Sequence, residues 1–299
     1  MAREILKEDI PKVKALMSEV LKTDEYESLS RMGGLTNHTY KVILKNGEEF
    51  VVRIPGEGTE ELINRNDEIV STKLACDLGI DAELLYFGKD GAKVTRYIKN
   101  AVTMSAETIK EPRHIQQVAE IFKKLHNCGI DTGVPFEVFE MAQGYEKIVY
   151  ANNVPMFEDY DAVKAEVMRI KKETDYLVEI KKAPCHNDPL CENWVEGDGR
   201  MYLIDWEYAG MNDGMWDLAD VSIEASFDDE SDRLLLKEYL GKEPDATDMK
   251  HFLASKIYVD YLWTLWAKTR VPYDGQPMED WAVERYTRAK TFIEAYNNL

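Results

Sequence analysis

His186, Asp188 and Asn193 stand in the stretch "HNDPLCEN", and Asp205 follows in "LIDWEYA" behind an apolar run. Two carboxylates and a carboxamide on neighbouring loops form the donor set of a metal site, or of a base beside a metal. Phosphoryl transfer from a nucleotide needs this set. One carboxylate orients and deprotonates an attacking hydroxyl, while an amide oxygen and a second carboxylate hold Mg²⁺ against the phosphates. Asp188 suits the first role, and Asn193 and Asp205 suit the second. The spacing puts Asp188 and Asn193 at opposite ends of one loop, and the run "MYLI" delivers Asp205 from a neighbouring hairpin arm.

Other chemistries lack their parts. The sequence has no G-x-x-x-x-G-K-[ST], no G-x-G-x-x-G and no H-E-x-x-H. The four cysteines, Cys76, Cys128, Cys185 and Cys191, include no C-x-x-C pair, so zinc ligation and dithiol chemistry have no support. Reduced thiols and a cytoplasmic location are the expectation. A formal net charge of −19 repels a phosphate backbone, which argues against nucleic acid and anionic membranes as partners and suits a cationic substrate. The opening "MAREILKEDIPKVKALMSEV" breaks its apolar residues with charges, so no export signal is expected. No apolar run reaches the roughly 18 residues of a membrane span.

The elements that must position these residues read as two kinds of region. Residues 10–21 form an amphipathic helix with Asp9 as its cap and Ile10, Val13, Leu16, Val20 and Leu21 as its stripe. "HTYKVILKN" and "EEFVVRI" form a hairpin that turns at Asn46-Gly47 and is preceded by the glycine-rich "MGGLTN". A helix over 60–77 stops at Gly79, and a second hairpin turns at Asp90-Gly91. Beyond Ile98 helical periodicity takes over, with Ile115, Val118, Ile121, Phe122 and Leu125 on one face. Helices are expected over 139–150, 160–179, 214–226, 231–240, 245–269 and 278–297, interrupted by the short strands "NWVE" and "MYLID". The acidic "FDDESD" reads as a solvated helix start. The expected fold is α+β. A small antiparallel β lobe spans 1–98 and binds nucleotide, and a larger helical lobe spans 99–299 and carries catalysis and substrate binding. The site is expected in the cleft between them.

"HNDPLCEN" with "LIDWEYA" resembles the catalytic and metal loops of the aminoglycoside phosphotransferase and choline kinase superfamily, which has a protein-kinase-like fold. The resemblance runs from "GGLTNHTYKV" to "LWTLW" and beyond, and within the superfamily it is to the bacterial choline kinases of the LicA type. It implies an enzyme that uses ATP and Mg²⁺ to phosphorylate a small amino alcohol. In "GGLTN" it implies a nucleotide loop, with Gly33 and Gly34 allowing close backbone approach and Thr36 and Asn37 reaching phosphate oxygens. Arg53 stands where protein kinases carry a phosphate-binding Lys, as in choline kinases, and pairs with an acidic or amide group of the next helix: Glu68, or in other registers Asn66 or Asp67. "TRYI" resembles the hinge, where the backbone of Arg96 and Ile98 binds adenine. His186 braces the catalytic loop.

The substrate end is implied by the C-terminal aromatics. Trp263 and Trp266 share a helix face, and Trp281 lies in "EDWAVERY". A quaternary ammonium has no N–H to donate and is held by ring faces, so the resemblance places these three at a choline site with Glu207, Tyr208, Asp217 and Glu224 nearby. The chain departs from animal choline kinases at Leu190, where they carry Gln. Ethanolamine and aminoglycosides are the competing substrates, and an inert kinase-like binding module is the competing class. Asp188, Asn193 and Asp205 together weigh against the inert module. Oligomeric state is not legible.

Overall fold

The computed structural model describes residues 4–32, 37–56 and 64–299. The chain divides into two compact units, each built from two segments: 1–104 with 192–209, and 105–191 with 210–299.

The first unit is built on a five-stranded antiparallel sheet of order β1-β2-β3-β5-β4, from β1 (Ser28–Arg31), β2 (Asn37–Ile43), β3 (Glu49–Pro55), β4 (Leu84–Phe87) and β5 (Lys93–Arg96). Both expected hairpins form. Gly47 (φ +83°) and Gly91 (φ +93°) take the left-handed conformation their turns require. Strand period decides what β3 does. Phe50, Val52 and Ile54 join Tyr40, Val42 and Val94 in a core closed by Val13 and Met17 of α1 (Ile10–Val20), while Arg53 points to the opposite face.

Asp9 occupies the α1 N-cap position, yet its side chain caps nothing. It is buried, accepting from the Tyr40 hydroxyl at 2.7 Å and pairing with His38 Nδ1 at 2.6 Å, so it fastens α1 to β2 instead. Helix α2 (Arg65–Asp77) is capped by Asn64, which accepts from Asn66 N at 3.1 Å, and ends at Gly79 (φ +65°). The expected start of this helix near residue 60 lies outside the described residues.

A three-stranded sheet of order β6-β8-β9 completes this unit: β6 (Val102–Thr103), β8 (Trp194–Gly197) and β9 (Arg200–Leu203). The expected 194–203 hairpin therefore pairs with a two-residue strand that has too little pattern to be read. Gly197 is required by a close approach. A Cβ there would lie 2.3 Å from Ile98 Cγ2 and 2.7 Å from the Lys99 carbonyl oxygen, which is backbone and cannot yield.

The second unit is mainly helical: α3 (Pro112–His126), α4 (Val138–Ala151), α5 (Tyr160–Leu177), α6 (Gly214–Glu224), α7 (Asp229–Leu240), α8 (Ala246–Asp274) and α9 (Gln276–Asn297). Each matches an expected helix to within a few residues, and α8 continues past Pro272. The middle of α8, from His251 to Thr269, is mostly buried, with α4, α5, α6 and α9 packed around it. Its start is fixed by a capping box: Asp245 accepts from Thr247 N and Asp248 N, and Asp248 accepts from Asp245 N. Asp228 caps α7 by accepting from Ser231 N at 2.9 Å, so "FDDESD" is the helix start it resembles. A ribbon of β7 (Lys182–Cys185) and β10 (Gly210–Asp213) was not legible, because its four-residue strands carry Pro and Gly and too little alternation.

Candidate active site

In the first unit the charged residues gather around Arg53. Its Nη2 lies 2.6 Å from Glu68 Oε1, and of the three registers left open by the sequence this is the one formed. Nε and Nη2 also donate to the Gly91 carbonyl, at 3.2 and 2.9 Å, and the guanidinium carbon lies 5.2 Å from the centre of the Phe87 ring. Gly91 is doubly constrained, because a Cβ on it would sit 2.6 Å from Arg65 Nε.

Arg65, which the sequence reading passed over, completes the network. Its Nη1 donates to Glu68 Oε2 at 2.6 Å and to Glu207 Oε1 at 2.9 Å. A cation in the first turn of a helix opposes the macrodipole, so its place there needs these carboxylates. That conflict at the α2 N-terminus is the signal that could have found it.

Glu207, expected at the substrate, belongs to the same network. It accepts from Asn37 Nδ2 at 2.7 Å and from Arg53 Nη1 at 3.4 Å. Burial, with Asp205 and Glu68 nearby, pushes its carboxyl up. Tyr208 follows in the same turn and is half-buried.

Asp205 differs from these. Its side chain is 47% exposed, its backbone is left-handed (φ +71°), and its contact with Arg53 is a long one of 3.8 Å. Asn193 closes a single 3₁₀ turn, Cys191–Asn193, and its carbonyl accepts from Ile204 N at 2.9 Å. That bond ties the backbone of Asn193 to the residue before Asp205. Glu68, Asp205 and Glu207 each offer an oxygen within 4.8 Å of the others. An all-oxygen donor set of this kind fits Mg²⁺, and Asp205 is the member not already committed to a close guanidinium.

Of the expected nucleotide residues, Gly33, Gly34 and Thr36 lie outside the described residues. Arg96 uses its backbone N–H on the Glu83 carbonyl (2.9 Å) and its side chain on Glu48 and Glu83. Ile98 lies beyond the end of β5 against Gly197.

In the second unit the loop bearing Asp188 is held from below. His186 N and Asn187 N donate to the two oxygens of Asp217, at 2.8 and 2.7 Å, and His126 Nε2 lies 3.0 Å from Asp217 Oδ2. Asp217, expected at the substrate, is fully buried with both oxygens engaged by the loop and by His126. Trp216 Nε1 donates to the Asn187 carbonyl at 3.0 Å, and Asn212 Nδ2 to Asn187 Oδ1 at 2.9 Å. Asn187 is left-handed (φ +67°), a conformation Asn tolerates better than most residues. Asp188 itself is half-buried, and its N–H points to Nδ1 of the buried His186 at 3.3 Å.

The three tryptophans form one cluster. Trp263 and Trp266 meet at 88° with centroids 6.2 Å apart, and Trp266 and Trp281 at 84° and 5.8 Å. Trp263 is buried, and the other two are partly exposed. The Arg285 guanidinium lies 4.3 Å from the centre of the Trp281 ring and pairs with Glu224 and, at 3.0 Å, with Asp260. Glu224 is therefore joined to the aromatic cluster through Arg285.

A profile described as choline/ethanolamine kinase matches residues 30–267, and the chain belongs to that family. The protein LicA of Haemophilus influenzae is 29% identical over 273 residues, 89% of this chain and 79% of that one. A choline/ethanolamine kinase family protein of Mesorhizobium loti superposes with a TM-score of 0.84 at 34% identity, covering 95% of this chain and 94% of its own. Choline kinase LicA of Streptococcus pneumoniae gives 0.79 at 31%, covering 96% and 99%, and a LicA complex with AMP gives 0.76 at the same identity, covering 96% and 98%. The fold extends to an aminoglycoside phosphotransferase, with a TM-score of 0.65 at 17% identity. The chain is thus a kinase with the protein-kinase-like fold, acting on a small molecule. Among the described residues no helix is long and apolar enough to cross a membrane.

Proposed function

We propose that this kinase transfers the terminal phosphoryl group of ATP to the hydroxyl of choline, with Mg²⁺, giving phosphocholine and ADP. Use of an adenine nucleotide is supported by family membership and by the LicA complex with AMP. Asp188 accepts the hydroxyl proton and aims the oxygen. A base must be held in one position to do this, and the brace of Asp217, Trp216 and Asn212 beneath its loop supports that role. Asp205 and Asn193 are the residues that would hold Mg²⁺, with Glu207 and Glu68 behind them. Bound there, the ion supplies positive charge against the phosphate oxygens. Arg53 carries a fixed cation to the phosphates, and Glu68 orients it. Gly33, Gly34, Thr36 and Asn37 cradle the phosphates, and the backbone near Arg96 and Ile98 takes the adenine.

The observation that carries choline as substrate is the perpendicular cluster of Trp263, Trp266 and Trp281. A trimethylammonium group is held by ring faces set at an angle to one another, whereas a primary ammonium or a polycationic sugar is held by acceptors that take its hydrogen bonds. The test is ADP release with ATP and Mg²⁺ on choline, ethanolamine, homoserine, methylthioribose and one aminoglycoside. Choline should give the highest kcat/KM. A higher value for ethanolamine would overturn the choline assignment, and no turnover on any of the five would overturn the amino-alcohol reading.

A further inference from the structure

One face of α6 carries three carboxylates, Asp217, Asp220 and Glu224, at the i, i+3, i+7 spacing that stacks side chains along a helix. Two of them are occupied. Asp217 takes the N–H groups of the Asp188 loop, and Glu224 is paired with Arg285. Asp220 is fully buried, and neither of its oxygens accepts a hydrogen bond from any described residue.

The groups around Asp220 are mostly acids: Glu224 and Asp217 on its own helix and Asp188 on the loop. The cation that reaches it is Arg285 from α9, already shared between Glu224 and Asp260 of α8. Asp260 is in turn held by Arg288 at 2.7 Å. Two further charged groups on the packed elements are engaged elsewhere: His126 of α3 with Asp217, and Asp232 of α7 with Lys256 and Ser222. Among the described residues, none donates a hydrogen bond to either oxygen of Asp220. Burial, reinforced by Glu224, Asp188 and Asp217, pushes its carboxyl well above the usual range. An isolated carboxylate is costly in such a place, and burial favours the neutral acid there.

We propose that Asp220 is a specificity-determining residue that holds a proton in the substrate-free protein and releases it when a cationic amino alcohol binds, becoming the counter-charge of the substrate's ammonium group. The step balances: the Asp220 O–H bond breaks, its electron pair stays on the carboxylate, the proton leaves to solvent, and the arriving cation replaces its charge. This rests on the amino-alcohol reading above. It assigns to Asp220 the anionic role that Glu224, already committed to Arg285, cannot fill alone. It also makes substrate affinity rise with pH, because the proton and the cation compete for one carboxylate.

The test is calorimetric titration of choline into the full-length protein at one pH, in buffers of different ionisation enthalpy, which counts protons released. The wild type should release close to one proton per choline bound. Asp220→Asn, with its fold checked by thermal melting, should release none and bind choline roughly tenfold to hundredfold more weakly, the loss expected for a charged contact. The carboxyl carbon resonance of Asp220 in the ligand-free protein, assigned by its absence in the variant, should report the protonated acid at pH 7 and the carboxylate on adding choline. Normal choline binding with no proton released, or an ionised Asp220 in the free protein, overturns the inference and leaves the kinase reading intact. Absence of any binding by choline or ethanolamine overturns both.

Discussion

Around Arg53, Glu68 and Glu207 each have a guanidinium within 3.4 Å, whereas along α6 Asp220 is buried with none in hydrogen-bonding reach. The first cluster carries its countercharge within the chain, from two arginines on β3 and α2. The second is short of positive charge by one partner. Buried ions are tolerated only when paired, so a cluster that is fully paired has a fixed charge, and one that is not must take up a proton or await a cation. For a phosphotransferase this is a useful division. Under the proposed function, a nucleotide with its metal would meet fixed charges, and a cationic acceptor would meet a site that can change its own.

Several substitutions sharpen or break this contrast. Asp188→Asn is expected to have the largest effect, lowering kcat by about 10²–10⁴-fold with ATP affinity and melting temperature nearly unchanged. Near-normal turnover in a folded Asp188→Asn protein would falsify its role as base. Glu68→Ala attacks the paired cluster. It leaves Arg53 and Arg65 in a buried site with less negative charge, a loss of about 3–5 kcal/mol when one partner of such a pair is removed. Urea unfolding measures this, and a change below about 1 kcal/mol would mean that water or Glu207 replaces the lost carboxylate.

Asp81 extends the contrast into the first unit. It is buried, and its carboxyl is pushed up from 3.8 to about 6, chiefly by burial, with Asp205 adding to the shift and Lys93 opposing it. A carboxyl raised on folding stabilises the native state fully below 3.8 and loses that contribution as pH climbs through about 6. The decline amounts to about 3 kcal/mol, and Asp81→Asn should flatten it. Parallel stability profiles for the two proteins between pH 4 and pH 7 would show that Asp81 does not govern it. Trp266→Ala is expected to have the smallest effect, raising the choline KM by roughly tenfold while the ATP KM stays put. A folded variant with wild-type choline KM would make this ring part of the packing between α8 and α9.

Much of the candidate site was legible because its parts are local. "HNDPLCEN" and "LIDWEYA" carry their residues within a few positions of each other, and such spacing survives folding unchanged. The hairpins at Asn46-Gly47 and Asp90-Gly91 and the helices of the second unit were legible for the same reason, since turn chemistry and periodicity are properties of short windows. What failed was long-range. Asp9 has every local mark of a helix cap, but a buried tyrosine hydroxyl 31 residues away claims it. Asp217 and Glu207 look like spare acids near a substrate until the backbone of the Asp188 loop takes the first and two arginines take the second.

By itself the sequence determined the family, the candidate residues for its chemistry (Asp188, Asn193, Asp205 and three tryptophans), and the order in which strands and helices appear. Tertiary structure alone decided which charges are paired. Arg53 meets Glu68 because the period of β3 turns it away from the α1 core and toward α2, and Arg65 joins them because the Gly91 turn leaves room for it. The segment 192–209 returns to the first unit although nearly ninety residues of the second intervene. Asp220 sits in a helix buried along its length from Gly214 to Ile223, and nothing in its neighbours along the chain marks it as unpartnered. Its isolation follows from partners, on α3, α6, α8 and α9, already committed to one another. A hydrogen-bond donor that is spoken for elsewhere in the fold leaves no trace in a sequence window, because pairing is a property of distance in space and not of position along the chain.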